Sequence, residues 1–135
     1  MSFERGSLIR FAHARAKQAM KKGFCLEVIA LCDSLIGDRL ESTMVYSAGS
    51  ERLFLPLGQL VHKIRKADLS FRDASLLSDC EAWSRQRNAC MHEFAKLRNG
   101  YNNSWTAKLD HAKQTATGGL ELVKRSSLEA KWHKL

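Results

Sequence analysis

The chain has 135 residues, 44% of them hydrophobic and 27% charged, which suits one core and one domain over 1–135 and is too short for two. That composition is globular rather than disordered, and no run reaches the roughly 18 uncharged apolar residues of a membrane span. Lys and Arg outnumber Asp and Glu by 22 to 14, a net charge of +8, so the surface favours polyanions, nucleic acid first among them.

The opening MSFERGSLIR carries Glu4 and two arginines and lacks a secretory apolar region and cleavage site, so the expected location is the cytoplasm. A first helix is expected from about Ser2 to Lys22. Phe3, Leu8, Ile9, Phe11, Ala12, Ala16 and Met20 are its apolar positions, and Arg10, Arg15, Lys17, Lys21 and Lys22 its basic outer face. Gly23 suits the left-handed position just past its end. The second helix is long, about Phe24–Tyr46. The band Leu26, Val28, Ile29, Leu31, Cys32, Leu35, Ile36, Leu40 and Met44 is too wide for one partner. Such a helix is central, or contacts a second subunit as well as its own core. Asp33, Asp38 and Arg39 fall on its polar side, and Ser47–Ser50 reads as a turn.

A short third helix, Leu57–Lys66, follows Pro56, with Leu60, Val61 and Ile64 inward and His62 and Lys63 outward. The fourth helix is expected over Leu76–Leu97, with Ser75 or Ser78 as N-cap and Asp79 and Glu81 in its first turn. Leu76, Cys80, Trp83, Cys90, Met91 and Phe94 form its apolar stripe, and Arg87 interrupts it. A guanidinium cannot shed its proton, so burying it without a partner is costly. Asn88 and His92, four apart, sit one above the other on the flank of the stripe. Two readings stand side by side. Arg87 pairs with a carboxylate or snorkels while His92 is an ordinary surface histidine, or the two share a site.

Arg98–Ser104 is the clearest loop, a rim for the same cleft. Tyr101 and Trp105 there either stack on a base or close the core at a helix entrance. Tyr101 and Lys96 are the substrate-binding candidates. The fifth helix runs from about Ser104 towards His133, with Gly118-Gly119 as a kink or break and Lys124, Arg125, Lys131 and Lys134 as a basic end. Cys25, Cys32, Cys80 and Cys90 fall on apolar helix faces, where free cysteine acts as a small hydrophobe. Their spacing supports neither disulfides nor a zinc site, and no metal or other cofactor is expected. The pattern is all-α, an up-and-down bundle of about five helices.

Arg87-Asn88-Ala89-Cys90-Met91-His92 resembles the R-x4–6-H signature of the HEPN family in its R-N-x-x-x-H form, with Trp83 and Glu93-Phe94 as similar local context. LCDSLIGDRLES in the second helix also resembles the corresponding HEPN helix, which commonly contributes to dimers. The likeness covers roughly Phe24–Leu97. It implies a small helical domain that dimerises through the motif face. It also implies a metal-independent ribonuclease of the toxin–antitoxin or antiphage kind, with a small nucleotidyltransferase-fold antitoxin as a partner.

The inventory of Arg87, Asn88 and His92 suits RNA cleavage by transesterification. An imidazole takes a proton from a 2′-hydroxyl or gives one to the leaving 5′-oxygen. A guanidinium holds non-bridging oxygens as charge builds, and the amide donates to phosphate or fixes the imidazole tautomer. One helix supplies one histidine, so a two-fold homodimer is expected to bring two His and two Arg into one cleft. The alternative is a non-catalytic HEPN-like module that binds a nucleotide or regulates a protein partner. A DNA-associated regulator ranks below both, for want of a helix-turn-helix spacing.

Overall fold

In a computed structural model that describes residues 2–134, with side chains from Glu4 onward, five helices account for the regular structure. They are α1 (Ser2–Lys21), α2 (Cys25–Ala48), α3 (Leu57–Ala67), α4 (Leu76–Glu93) and α5 (Trp105–Lys134). The bundle is all-α, as the periodicity predicts. No helix among the described residues is long and apolar enough to cross a membrane.

The wide apolar band of α2 is explained by its place: it touches α1, α3, α4 and α5. Val28, Ile29, Cys32, Leu35, Ile36, Leu40 and Met44 are buried along it. Its core neighbours are Leu60, Val61 and Ile64 of α3, Leu76, Cys80 and Trp83 of α4, and Val123 of α5. Burying each such side chain contributes roughly 1.5–3 kcal/mol. Gly23 and Gly49 end α1 and α2 in left-handed backbone.

Several expectations need correcting. On α1, Leu8 and Phe11 face outward, because Ile9, Ala12, Ala16 and Ala19 form the stripe that meets the bundle; Phe3 lies outside the described side chains. The fourth helix stops at Glu93, four residues earlier than expected. There the Lys108 ammonium donates to the carbonyls of Glu93 (3.2 Å) and Lys96 (2.8 Å), supplying partners at a helix end that otherwise lacks them. Ser75 stands at the N-cap but does not cap. Its hydroxyl donates to Asp79 (3.1 Å) and accepts from Arg125 (3.0 Å). Arg125 also pairs with Asp73 (2.8 Å) and Asp79 (2.9 Å), fastening the entry of α4 to α5.

Gly118-Gly119 neither kinks into a break nor ends the fifth helix, which runs unbroken through both. The glycines serve close approach. A Cβ on Gly119 would stand 2.8 Å from Cζ2 of Trp83 and 3.0 Å from Cβ of Cys32, whereas one on Gly118 would meet Trp83 at an ordinary 3.6 Å. The Trp83 ring is buried and held by its indole N–H donating to the Thr115 carbonyl (2.8 Å), so it has little room to yield. Gly118→Ala is therefore expected to stabilise by about 0.5–1 kcal/mol through helix propensity. Gly119→Ala should destabilise by about 1–3 kcal/mol through overpacking. Thermal melts of the two variants check this, and equal shifts would contradict the packing account.

Candidate functional site

Arg87 leaves the apolar stripe of α4 and turns towards α2. Its Nε lies 3.3 Å from Oδ1 of Asp33, and the Arg87 side chain is 18% exposed. The two charges are close but poorly aligned, since Arg87 Nε and Asp33 Oδ1 are both buried without a hydrogen-bond partner among the described residues. Of the two readings of Arg87, the one that pairs it with a carboxylate is seen: its counter-charge lies inside its own chain. The carboxylate comes from the polar side of α2, where Asp33 follows the buried Cys32.

Burial pushes the Asp33 carboxyl above its ordinary range, and the Arg87 charge opposes this without cancelling it. A carboxyl with a raised folded-state value holds its proton more tightly when folded. Its contribution to stability therefore falls as pH rises from the ordinary 3.8 through the raised value. Asp33→Asn is expected to flatten that part of the stability–pH curve. Urea midpoints measured across the acid range check it, and an unchanged slope would mean that Asp33 is not the titrating group. For Asp33 itself desolvation outweighs the attraction of Arg87, so stability alone does not explain a carboxylate there, which is one reason to look for a role in binding.

Asn88 and His92 are both exposed, one turn apart on the outer side of the last turns of α4. His92 makes no hydrogen bond or ion pair among the described residues. Arg87 therefore does not reach across to the imidazole; it is drawn to Asp33 on the seam between α2 and α4. Lys96 is exposed on the turn after the helix. Tyr101 is also exposed, with the Arg98 guanidinium 4.1 Å from its ring centroid, so one face of the ring is already covered. Trp105 meets Phe94 edge-on at 5.0 Å but stays 62% exposed, so it covers Phe94 without closing the core. The loop between them is organised by Asn103, which exchanges hydrogen bonds with the backbone N–H (2.8 Å) and carbonyl (2.9 Å) of Arg98.

Met91, Leu97, Tyr101, Trp105 and Leu109 are exposed around this end of α4, although Met91 had been expected inside. Beside Asp33, a cleft of about 330 Å³ runs along α2 to Phe54–Leu57. Its ionisable lining is Asp33, Asp38 and Glu41, a poor host for a phosphate. Asp38 there is held by Arg5, Arg39 and Arg52, and Glu41 accepts from the backbone N–H groups of Leu53 (3.3 Å) and Phe54 (2.9 Å). That Glu41 is buried and Asp38 half-buried is not recognisable from the sequence. Asp-Arg and Glu-Ser neighbours in a helix read as a solvated face unless the loop that folds over them is known.

The thiols do not add to the site. All four cysteines are free, and burial pushes Cys32 and Cys80 up to about 12, leaving them without thiolate character. Cys90 faces inward, 3.5 Å from Thr115 Oγ1. No family model, curated protein or solved structure gives a match to this chain.

Proposed function

We propose that the chain is a metal-independent, HEPN-type endoribonuclease that cleaves RNA by 2′-hydroxyl transesterification and works as a homodimer. The supporting observation is the arrangement on the last turns of α4. An exposed His92 and Asn88 share them with a guanidinium that Asp33 anchors at the seam to α2. In this scheme His92 moves the proton, Arg87 meets the charge that builds on the phosphate, and Asn88 donates to a non-bridging oxygen. Asp33 is a positioning residue. The Arg87 charge does not call for a second subunit, so the dimer rests on two other grounds. Acid–base cleavage works best with a second proton donor or acceptor, which a second copy of His92 supplies, and Met91, Leu97 and Trp105 expose apolar surface beside the motif.

The test is incubation of the purified chain with single-stranded RNA in EDTA. Products ending in 2′,3′-cyclic phosphate and 5′-hydroxyl are expected, and DNA of the same sequence should survive. Mixing inactive His92→Ala and Arg87→Ala chains adds a test of the dimer, because a shared cleft predicts partial rescue. A specific observation favours the second reading, a non-catalytic nucleotide-binding or regulatory module: Arg87 is already opposed by a carboxylate. Nucleotide-dependent thermal stabilisation without cleavage would decide for it. A nucleotidyltransferase-fold antitoxin remains the partner to seek if expression of the chain arrests growth and His92→Ala relieves the arrest.

A further inference from the structure

The largest cleft described lies on helices that carry no part of the motif. α1 and α5 both pack on α2 and scarcely touch each other, which leaves a groove of about 820 Å³ between them. Arg10, His13, Ala14 and Lys17 line one side, and Leu120, Val123, Lys124, Leu128 and Lys131 the other. These are helical i, i+3, i+4, i+7 positions, so the groove follows α1 for about 10 Å, two turns, and α5 for about 16 Å, three turns.

Its chemistry is divided by depth. Val123 is buried and Leu120 half-buried at the base, while Leu128 is 62% exposed and stands open to a ligand. Arg10, Lys17, Lys124 and Lys131 stand exposed at the rims, and no carboxylate lines the groove. Lys17, Lys124 and Lys131 form no ion pair among the described residues, and Arg10 only donates to Ser7 (3.2 Å). The Ser127 hydroxyl at the wall is buried without a partner. The positive field is felt by His13, whose imidazole is pushed below its ordinary value by burial and by the Lys17 and Arg39 charges.

We infer that this groove receives an amphipathic helix of a partner protein, with aliphatic side chains on one face and carboxylates along both flanks. An aliphatic floor bounded by two helices fits a third helix laid into it, and four uncompensated cations select acidic flanks. Single-stranded RNA fits less well. It binds non-specifically by stacking bases on aromatic rings, and this groove has no Phe, Tyr or Trp and only a half-buried His13. The inference does not rest on ribonuclease activity: the groove lies on α1 and α5, the motif on α4.

The test uses the whole chain and a fluorescein-labelled peptide of about 16 residues, long enough to form a helix. The peptide carries Leu at i, i+3, i+4, i+7 spacing and Glu on both flanks. Fluorescence anisotropy should show saturable binding. It should be at least about tenfold weaker with Lys124→Glu/Lys131→Glu, and weaker again with Leu128→Asp. These positions are exposed, and circular dichroism verifies that the variants stay folded. The same peptide with Lys for Glu should not bind. The inference is overturned if the acidic peptide fails to bind or binds the charge-reversed variant equally. It is also overturned if an oligoadenylate or a phosphatidylglycerol vesicle, and not the peptide, is the probe that responds to the substitutions.

Discussion

His92→Ala is expected to slow cleavage of single-stranded RNA by about 10²–10⁴-fold while leaving the melting temperature unchanged. The two halves of that expectation have the same cause. His92 is exposed and bonded to nothing among the described residues, so its removal opens no cavity and orphans no partner. Arg87→Ala should cost about 10²–10³-fold through lost charge stabilisation, but it should also lower stability, because Asp33 is then left half-buried and unopposed. Comparing the variants by single-turnover cleavage and by thermal melts separates a proton carrier from a charge clamp. Cleavage undiminished in His92→Ala, or abolished by EDTA, would remove the proposed mechanism.

The bundle could be read from the chain because its signals are local. Helix spacing, Gly23 and Pro56 place four of the five helices within about three residues at either end, and of the two readings of the broad α2 band, central or shared with a second subunit, the central place is seen. What could not be read depended on neighbours. Gly118-Gly119 looks like a helix breaker until Trp83 is known to lie against it, 2.8 Å from where a Cβ would stand. Arg87 was correctly singled out as a charge in an apolar stripe, yet its partner, Asp33, lies on another helix with nothing in its spacing to mark it. Of the ten residues lining the α1–α5 groove, the sequence marks only Arg10, Lys17, Lys124 and Lys131, and those as basic helix faces, because a groove is a property of two helices diverging over a third.

The same limit hid Glu129, and its removal should have the largest effect on stability. Its side chain is 1% exposed, an expensive place for a carboxylate unless its oxygens are occupied. They are: Glu129 accepts from the backbone N–H groups of Arg72 (2.9 Å) and Asp73 (2.8 Å) and from His133 Nε2 (2.8 Å). His133 is in turn bonded to Ser47 and packed against Phe71, with ring centroids 5.6 Å apart. One side chain of α5 therefore ties down the α3–α4 loop and, through His133, the end of α2. Glu129→Ala would leave two adjacent amide donors and an imidazole without their acceptor, a loss of about 3–5 kcal/mol. For a chain of this length that is a fall in melting temperature of roughly 10–20 °C. Glu129→Gln should lose less, since one amide oxygen still accepts while the NH2 group turns a donor towards a donor. Hydrogen exchange adds a local readout: the Arg72 and Asp73 amides should lose protection in Glu129→Ala before the α2 core does. A loss below about 1 kcal/mol would mean that water serves those amides as well as the carboxylate does.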